Sequence, residues 1–260
     1  MKTDWNSNQY LQYEDLRTRP AHELLSRVGL DNPKSIMDLG CGPGNSTELL
    51  TRRFQNSVVT GLDSSPNMLA EARERLPGAD FIEGDIISWA PDTKVDLIFA
   101  NASLQWVRNH GKLISDLVDK LVPSGVLAVQ MPDNLDEPTH RLMRQVAEEG
   151  PWSKKLAEAS IQREKIGSFA DYYNYLSGQC DRIDIWSTSY AHILDSAEAI
   201  VEWVSSTGLR PYLSPLDEEE KSDFLKAYLR ELKKAYPPMR DGKVILEFPR
   251  LFVVAQKKIC

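Results

Sequence analysis

Residues 35–48 read Ser35-Ile36-Met37-Asp38-Leu39-Gly40-Cys41-Gly42-Pro43-Gly44-Asn45-Ser46-Thr47-Glu48: a short apolar run, three closely spaced glycines, then polar residues that open a helix. The apolar run has strand length, and Asn45 or Ser46 supplies a cap for the helix. Glycine lets a backbone turn tightly and approach a bound group closely, and a strand-to-helix turn of this kind is where a doubly wound sheet takes a nucleotide. The spacing is G-x-G-x-G. A dinucleotide fingerprint, G-x-G-x-x-G, would place its third glycine at position 45, which is Asn45, so that a pyrophosphate could rest on the helix N-terminus. Asp38, directly ahead of the loop, would repel a pyrophosphate and attract a cation. The loop points to a ligand carrying an ammonium group and away from a nicotinamide-dependent oxidoreductase.

From residue 35 to 131, short apolar runs alternate with longer amphipathic ones, the pattern of strand–helix units in a parallel sheet. Strands are expected at Ser35–Leu39, Val58–Leu62, Ala79–Glu83, Val95–Ala100 and Gly125–Met131, with helices near 45–53, 66–76 and 110–121. The second helix carries its own punctuation: Ser65 as cap, Pro66 at the first helical position, and Pro77-Gly78 as the stop. Beyond Pro132 the periodicity becomes helical near 138–149, 153–164, 169–177, 196–206 and 217–236. Two strand-like runs, Ile183–Leu194 and Val244–Gln256, interrupt and close this region, with Pro249 expected at a bulge or on an edge. The expected fold is α/β: a doubly wound, mostly parallel seven-stranded sheet with helical cap insertions. We read one domain over 1–260. In it, 1–33 form an N-terminal helical lid, 34–133 the ligand-binding core, 134–182 and 195–243 the cap insertions, and 183–194 and 244–256 the late strands.

Two further acids extend the ligand outlined by Asp38. Asp63, at the end of the second strand, is placed to accept from both hydroxyls of a ribose. In Gly84-Asp85-Ile86, Asp85 can accept from an exocyclic adenine amine, while Ile86 and Met68 offer apolar faces to the ring. The three strand ends describe one molecule with ammonium, ribose and adenine parts.

The chain has 260 residues, with 31 Lys and Arg against 38 Asp and Glu, a net charge of −7. Both halves are acidic, which excludes a broad nucleic-acid-binding surface. Three cysteines without zinc spacing fit a reduced, cytoplasmic protein, and the absence of long apolar runs excludes a membrane partner. His22, His110, His140 and His192 are scattered, so neither a nucleophile–base set nor a metal site is assigned. The oligomeric state is open, and a monomer is compatible.

Ile36–Thr47 (IMDLGCGPGNST), the Asp63 strand end, Gly84–Ile86 and Asn101–Val107 (NASLQWV) together resemble the class I S-adenosylmethionine-dependent methyltransferases, over roughly residues 34–133. The resemblance implies a Rossmann-like methyltransferase fold with S-adenosylmethionine as cofactor, S-adenosylhomocysteine as product and no metal. It places Asp38, Gly40, Gly42 and Gly44 at the methionine part. Asp63 and Ser64 then serve the ribose, Asp85 with Ile86 and Met68 the adenine, and Asn101 and Ala102 the sulfonium side. The opening Trp5–Leu25, the segment Ile98–Val107 and Ser206–Leu213 (STGLRPYL) further resemble the subfamily acting on trans-aconitate. This implies methyl-ester formation on a carboxylate of a small polycarboxylic acid; C- or N-methylation of another metabolite, and a noncatalytic cofactor-binding module, stay open. A carboxylate with a pKa of about 4 is already ionised at neutral pH and needs no general base, so no catalytic residue is named. Arg210 is the leading guanidinium for the acid, with Tyr212 as a further donor, and Arg17, Arg108 and Arg144 are second choices. Trp106 is expected as a pocket wall, His110 at a helix start, and Tyr10 with Trp5 and Tyr13 as a cover that excludes water.

Overall fold

Four of the five residues of β1 (Ser35–Leu39) are buried, as a strand covered on both faces requires. The structure, a computed structural model, describes residues 14–157, 159, 163–205 and 207–259, with the side chains of 14–17 left out. Trp5, Tyr10 and Tyr13 lie outside the described residues, as does the side chain of Arg17.

Helix α1 (Glu14–Ser26) precedes β1, and α2 (Asn45–Arg53), β2 (Val58–Asp63), α3 (Pro66–Arg75), β3 (Asp80–Glu83) and β4 (Val95–Asn101) follow in alternation. A single 3-10 turn (Leu104–Trp106) leads to α4 (His110–Asp119) and β5 (Leu121–Pro132). Next come α5 (Pro138–Glu149), α6 (Ser153–Leu156), α7 (Phe169–Leu176) and β6 (Cys180–Leu194). The chain closes with α8 (Ala197–Ser205), α9 (Arg210–Leu213), α10 (Glu218–Ala235) and β7 (Val244–Lys257).

The sheet has seven strands in the order β3-β2-β1-β4-β5-β7-β6. The pairs β1·β2, β1·β4, β2·β3 and β4·β5 are parallel. The chain winds outward from β1 through β2 to β3, then returns to β4 on the other side of β1. The carboxyl ends of β1 and β4 therefore flank the topological switch point, where open α/β sheets bind their ligands.

The chain forms two compact units. The core unit takes the residues up to 132 with 166–188 and those from 251 on, and the second takes 133–165 and 189–250. The insertion expected over 134–182 thus divides at 165, because α7 belongs to the core unit. There Tyr172 and Leu176 of α7 join Leu113, Ile114, Leu117 and Val118 of α4 and the strand residues Leu39, Ile98, Ala100, Leu127 and Val129 in one buried cluster. The four α4 positions recur at helical spacing and give the helix its buried face. In the second unit, Phe224 of α10 meets Trp152 edge-on at 5.2 Å and Tyr212 in a stacked pair at 6.0 Å. The Tyr228 hydroxyl donates to the Thr139 carbonyl at 3.1 Å.

Several expectations shift. β5 begins at Leu121, four residues early, because it absorbs Pro123-Ser124-Gly125 in an irregularity. Val95 lies opposite Leu121 but Leu97 lies opposite Val126, and Ser124 takes a positive φ of 63°. The helix expected over 153–164 ends at Leu156. Arg210 opens the short helix α9 instead of lying in a turn, with Pro211 in its first turn. Pro249 is not on an edge strand, since β7 lies between β5 and β6; its carbonyl accepts from the Asp133 N–H at 2.9 Å.

Candidate active site

Asp38, the penultimate residue of β1, is fully buried. Its Oδ2 accepts from the Ser46 and Thr47 hydroxyls, each at 2.7 Å. Neither Asn45 nor Ser46 therefore caps α2: the cap position is Gly44, with a φ of 88° and no side-chain bond. The other oxygen, Oδ1, is buried with no hydrogen-bond partner among the described residues. Burial pushes the carboxyl up to about 6, against the lowering effect of Thr47 and Ser46.

The glycine loop is held in place by backbone and carboxylate. Gly40 and Cys41 both donate to the Leu62 carbonyl, at 2.7 and 3.0 Å, binding the loop to the end of β2. Gly40 has a φ of 70°, and a Cβ there would stand 2.3 Å from Ser103 Cβ. Gly42 also has a positive φ, 55°, but a Cβ on it would meet nothing within 4 Å, so its outer face is open. Its N–H donates to Asp63 Oδ2 at 2.9 Å, while Asp63 Oδ1 accepts from the Ser65 N–H at 2.9 Å. Half-buried Asp63 thus ties the glycine loop to the turn before α3.

Ser65 caps α3 by accepting from the Met68 N–H, as its sequence implies; Ser64 is exposed and Met68 buried. Asp85 is exposed, with Oδ1 accepting from the Ile87 N–H at 2.8 Å in a tight turn. Half-buried Ile86 packs on the core cluster.

At the end of β4, Asn101 Oδ1 is buried without a hydrogen-bond partner among the described residues. Ala102 adopts a left-handed φ of 55°, uncommon for a residue with a Cβ. Three contacts fix it there. Its N–H donates to the Gln130 carbonyl at 2.8 Å, its carbonyl accepts from Gln105 Nε2 at 2.6 Å, and Ser103 Oγ donates to the Leu39 carbonyl at 2.7 Å. Trp106 is half-buried in the same turn. His110 Nε2 faces the Leu104 carbonyl at 3.0 Å, so that nitrogen carries the proton and Nδ1 accepts from the Tyr172 hydroxyl at 2.5 Å. The ring closes the start of α4.

In the second unit Arg210 is half-buried, and Tyr212 is buried against Phe224, its hydroxyl pushed up to about 12 by burial. Arg108, in the core unit, is exposed. Arg144 Nη2 donates to the Leu135 carbonyl and Arg163 Nη1 to Asn134 Oδ1, both at 2.8 Å, so two guanidiniums are anchored on consecutive residues. Burial lowers Arg163 to about 10, which leaves it cationic at neutral pH. His140 is buried beside both; burial, then Arg163, then Arg144 push it down to about 3, so it stays neutral. Sequence reasoning missed Arg163, whose partner lies 29 residues away, and Gln105, whose role depends on the conformation of Ala102. Among the described residues no group of three His, Cys, Asp or Glu is arranged to hold a metal, and no helix is long and apolar enough to cross a membrane.

A family model described as a methyltransferase domain matches residues 36–125. The trans-aconitate 2-methyltransferase of Rhodopseudomonas palustris strain BisB18 is 56% identical over 98% of this chain and 99% of its own length. The one from strain BisA53 is 53% identical over the same shares. Among solved structures, a putative methyltransferase from Bacillus halodurans aligns over 92% of this chain and 99% of its own with a TM-score of 0.58, at 15% identity. That likeness is one of fold.

Proposed function

The chain belongs to the family of trans-aconitate 2-methyltransferases, and from that premise we propose that it methylates a carboxylate of trans-aconitate, forming a methyl ester. The observation that carries the cofactor assignment is the buried, half-satisfied carboxylate of Asp38 at the switch point, next to a glycine loop whose outer face is open at Gly42. A cation with N–H donors fits that setting; a pyrophosphate does not. S-adenosylmethionine, when bound, would supply a methyl group on a positively charged sulfur, open to in-line attack by an anion at the methyl carbon with the sulfur leaving as the neutral thioether of S-adenosylhomocysteine.

The chain's own residues then bind and orient. Asp38 accepts from the ammonium. Asp63 accepts from the ribose hydroxyls, beside Ser64. Asp85 accepts from the adenine amine, and Ile86 and Met68 flank the ring. Gly40, Gly42 and Gly44 let the backbone approach the methionine part, while Asn101 and Ala102 form the sulfur side. No residue needs to take a proton, because the acceptor is already an anion; what the protein contributes is alignment and exclusion of water. The unpaired thiols of Cys41 and Cys180 fit a reducing, cytoplasmic setting.

Planar guanidiniums pair with carboxylates through two parallel hydrogen bonds. Arg210, Arg144 and Arg163 are the groups we assign to the acid, with Tyr212 as a donor, Trp106 as a wall and Tyr10 as a cover. Arg163→Ala and Arg210→Ala should each raise KM for trans-aconitate about tenfold or more, with S-adenosylhomocysteine affinity unchanged by calorimetry. Equal losses of both would count against the clamp.

A second consequence concerns pH. The ammonium needs Asp38 ionised, and protons compete for that carboxylate as pH falls through about 6. Cofactor affinity should therefore drop about tenfold between pH 7 and pH 5; calorimetric titrations giving a flat profile would disprove this. To identify the acid, kcat/KM should be compared for trans-aconitate, cis-aconitate, isocitrate and citrate. The reading requires trans-aconitate to lead.

A further inference from the structure

We propose that Gln105 is an acceptor for the cofactor's ammonium group, acting beside Asp38. The inference rests on the methyltransferase reading above. Gln105 is buried, 5% exposed, in the turn after β4. Its Nε2 donates to the Ala102 carbonyl at 2.6 Å, which fixes the orientation of the amide: the reverse would set oxygen against oxygen. The remaining atom, Oε1, is buried with no hydrogen-bond partner among the described residues. Buried polar atoms are nearly always paired, so such an atom calls for a donor.

The same condition holds at Asp38 Oδ1 and Asn101 Oδ1. All three are acceptors, and they belong to the carboxyl ends of two neighbouring strands and the loop that follows one of them. Asp38 lies opposite Phe99 in the β1·β4 register, two residues before Asn101. Ser103 Oγ then bonds the Leu39 carbonyl, which holds the Gln105 turn against the residue after Asp38. The complement must be rich in donors. An ionised tricarboxylate has none, and the donors of ribose and adenine are assigned to the ends of β2 and β3. The ammonium, with three N–H bonds, is what remains.

Two nucleoside ligands separate an ammonium contact from a structural brace. S-adenosylhomocysteine carries the amine, and 5′-methylthioadenosine has the same sulfur, ribose and adenine without it. By calorimetry, Gln105→Leu should weaken S-adenosylhomocysteine about tenfold or more and leave 5′-methylthioadenosine unchanged, which also shows that the variant is folded. Parallel losses for both ligands, or no loss for S-adenosylhomocysteine, would overturn the assignment. If the unaltered protein binds neither ligand, the methyltransferase reading itself fails.

Discussion

Gly40→Ala is expected to slow methyl transfer by about a hundredfold or more, the scale of loss that a displacement of about 1 Å at a reacting centre produces, and to weaken S-adenosylhomocysteine binding. Two independent effects act at this position. A left-handed φ of 70° costs a residue with a Cβ about 1–2 kcal/mol. The new methyl would also stand 2.3 Å from Ser103 Cβ, a separation that no rotamer change relieves because both atoms are fixed to backbone. One chain must move. Either Gly40 loses its bond to the Leu62 carbonyl, or Ser103 loses the bond to Leu39 that holds the Ala102 turn. Gly42→Ala is the control: its φ of 55° imposes the same strain without any clash. Activity and affinity should fall much further in Gly40→Ala, and equal effects would show that backbone strain alone governs the loop.

Asp38→Asn should do two opposite things. It should weaken S-adenosylhomocysteine by about ten- to a hundredfold, the worth of a hydrogen bond between charged groups, and it should flatten the pH dependence of that affinity. It should also stabilise the protein without ligand. The folded value of about 6 lies above the usual 3.8, so the fold favours the protonated acid, and stability contributed by this group is lost as pH rises through that interval. At pH 7 the ionised carboxylate costs about 3 kcal/mol, an upper figure for a shift of about two units. Removing the charge should raise Tm at pH 7 and make little difference at pH 4. Binding residues often carry such a cost. A lower Tm at pH 7, or undiminished affinity, would contradict this account of Asp38.

The core of the fold was legible because strand, turn and helix signals agree there. β1 runs from Ser35 to Leu39 as its apolar run implies, and α3 begins at Pro66 behind its Ser65 cap. Prediction failed where a local signal served a distant partner. Ser46 reads as a cap, yet its hydroxyl, like that of Thr47, turns to Asp38. The strand expected from Gly125 begins at Leu121, because β5 absorbs Pro123-Ser124-Gly125 in an irregularity against β4. Pro249 reads as a bulge or an edge, and the edge is excluded because its strand has neighbours on both sides. At the site, the acids and glycines announce themselves by spacing along one strand–helix pattern. Arg163 and Gln105 do not, because the contacts that anchor them, to Asn134 and to the Ala102 carbonyl, exist only in the folded chain.

The central claim is that the chain places a methyl group on a carboxylate oxygen of trans-aconitate. Incubating the purified protein with methyl-labelled S-adenosylmethionine and trans-aconitate tests it most directly. The account predicts label in the acid that mild base releases as methanol, as an ester requires. Label that resists base, or an acid left unlabelled by protein that binds S-adenosylhomocysteine, would contradict it.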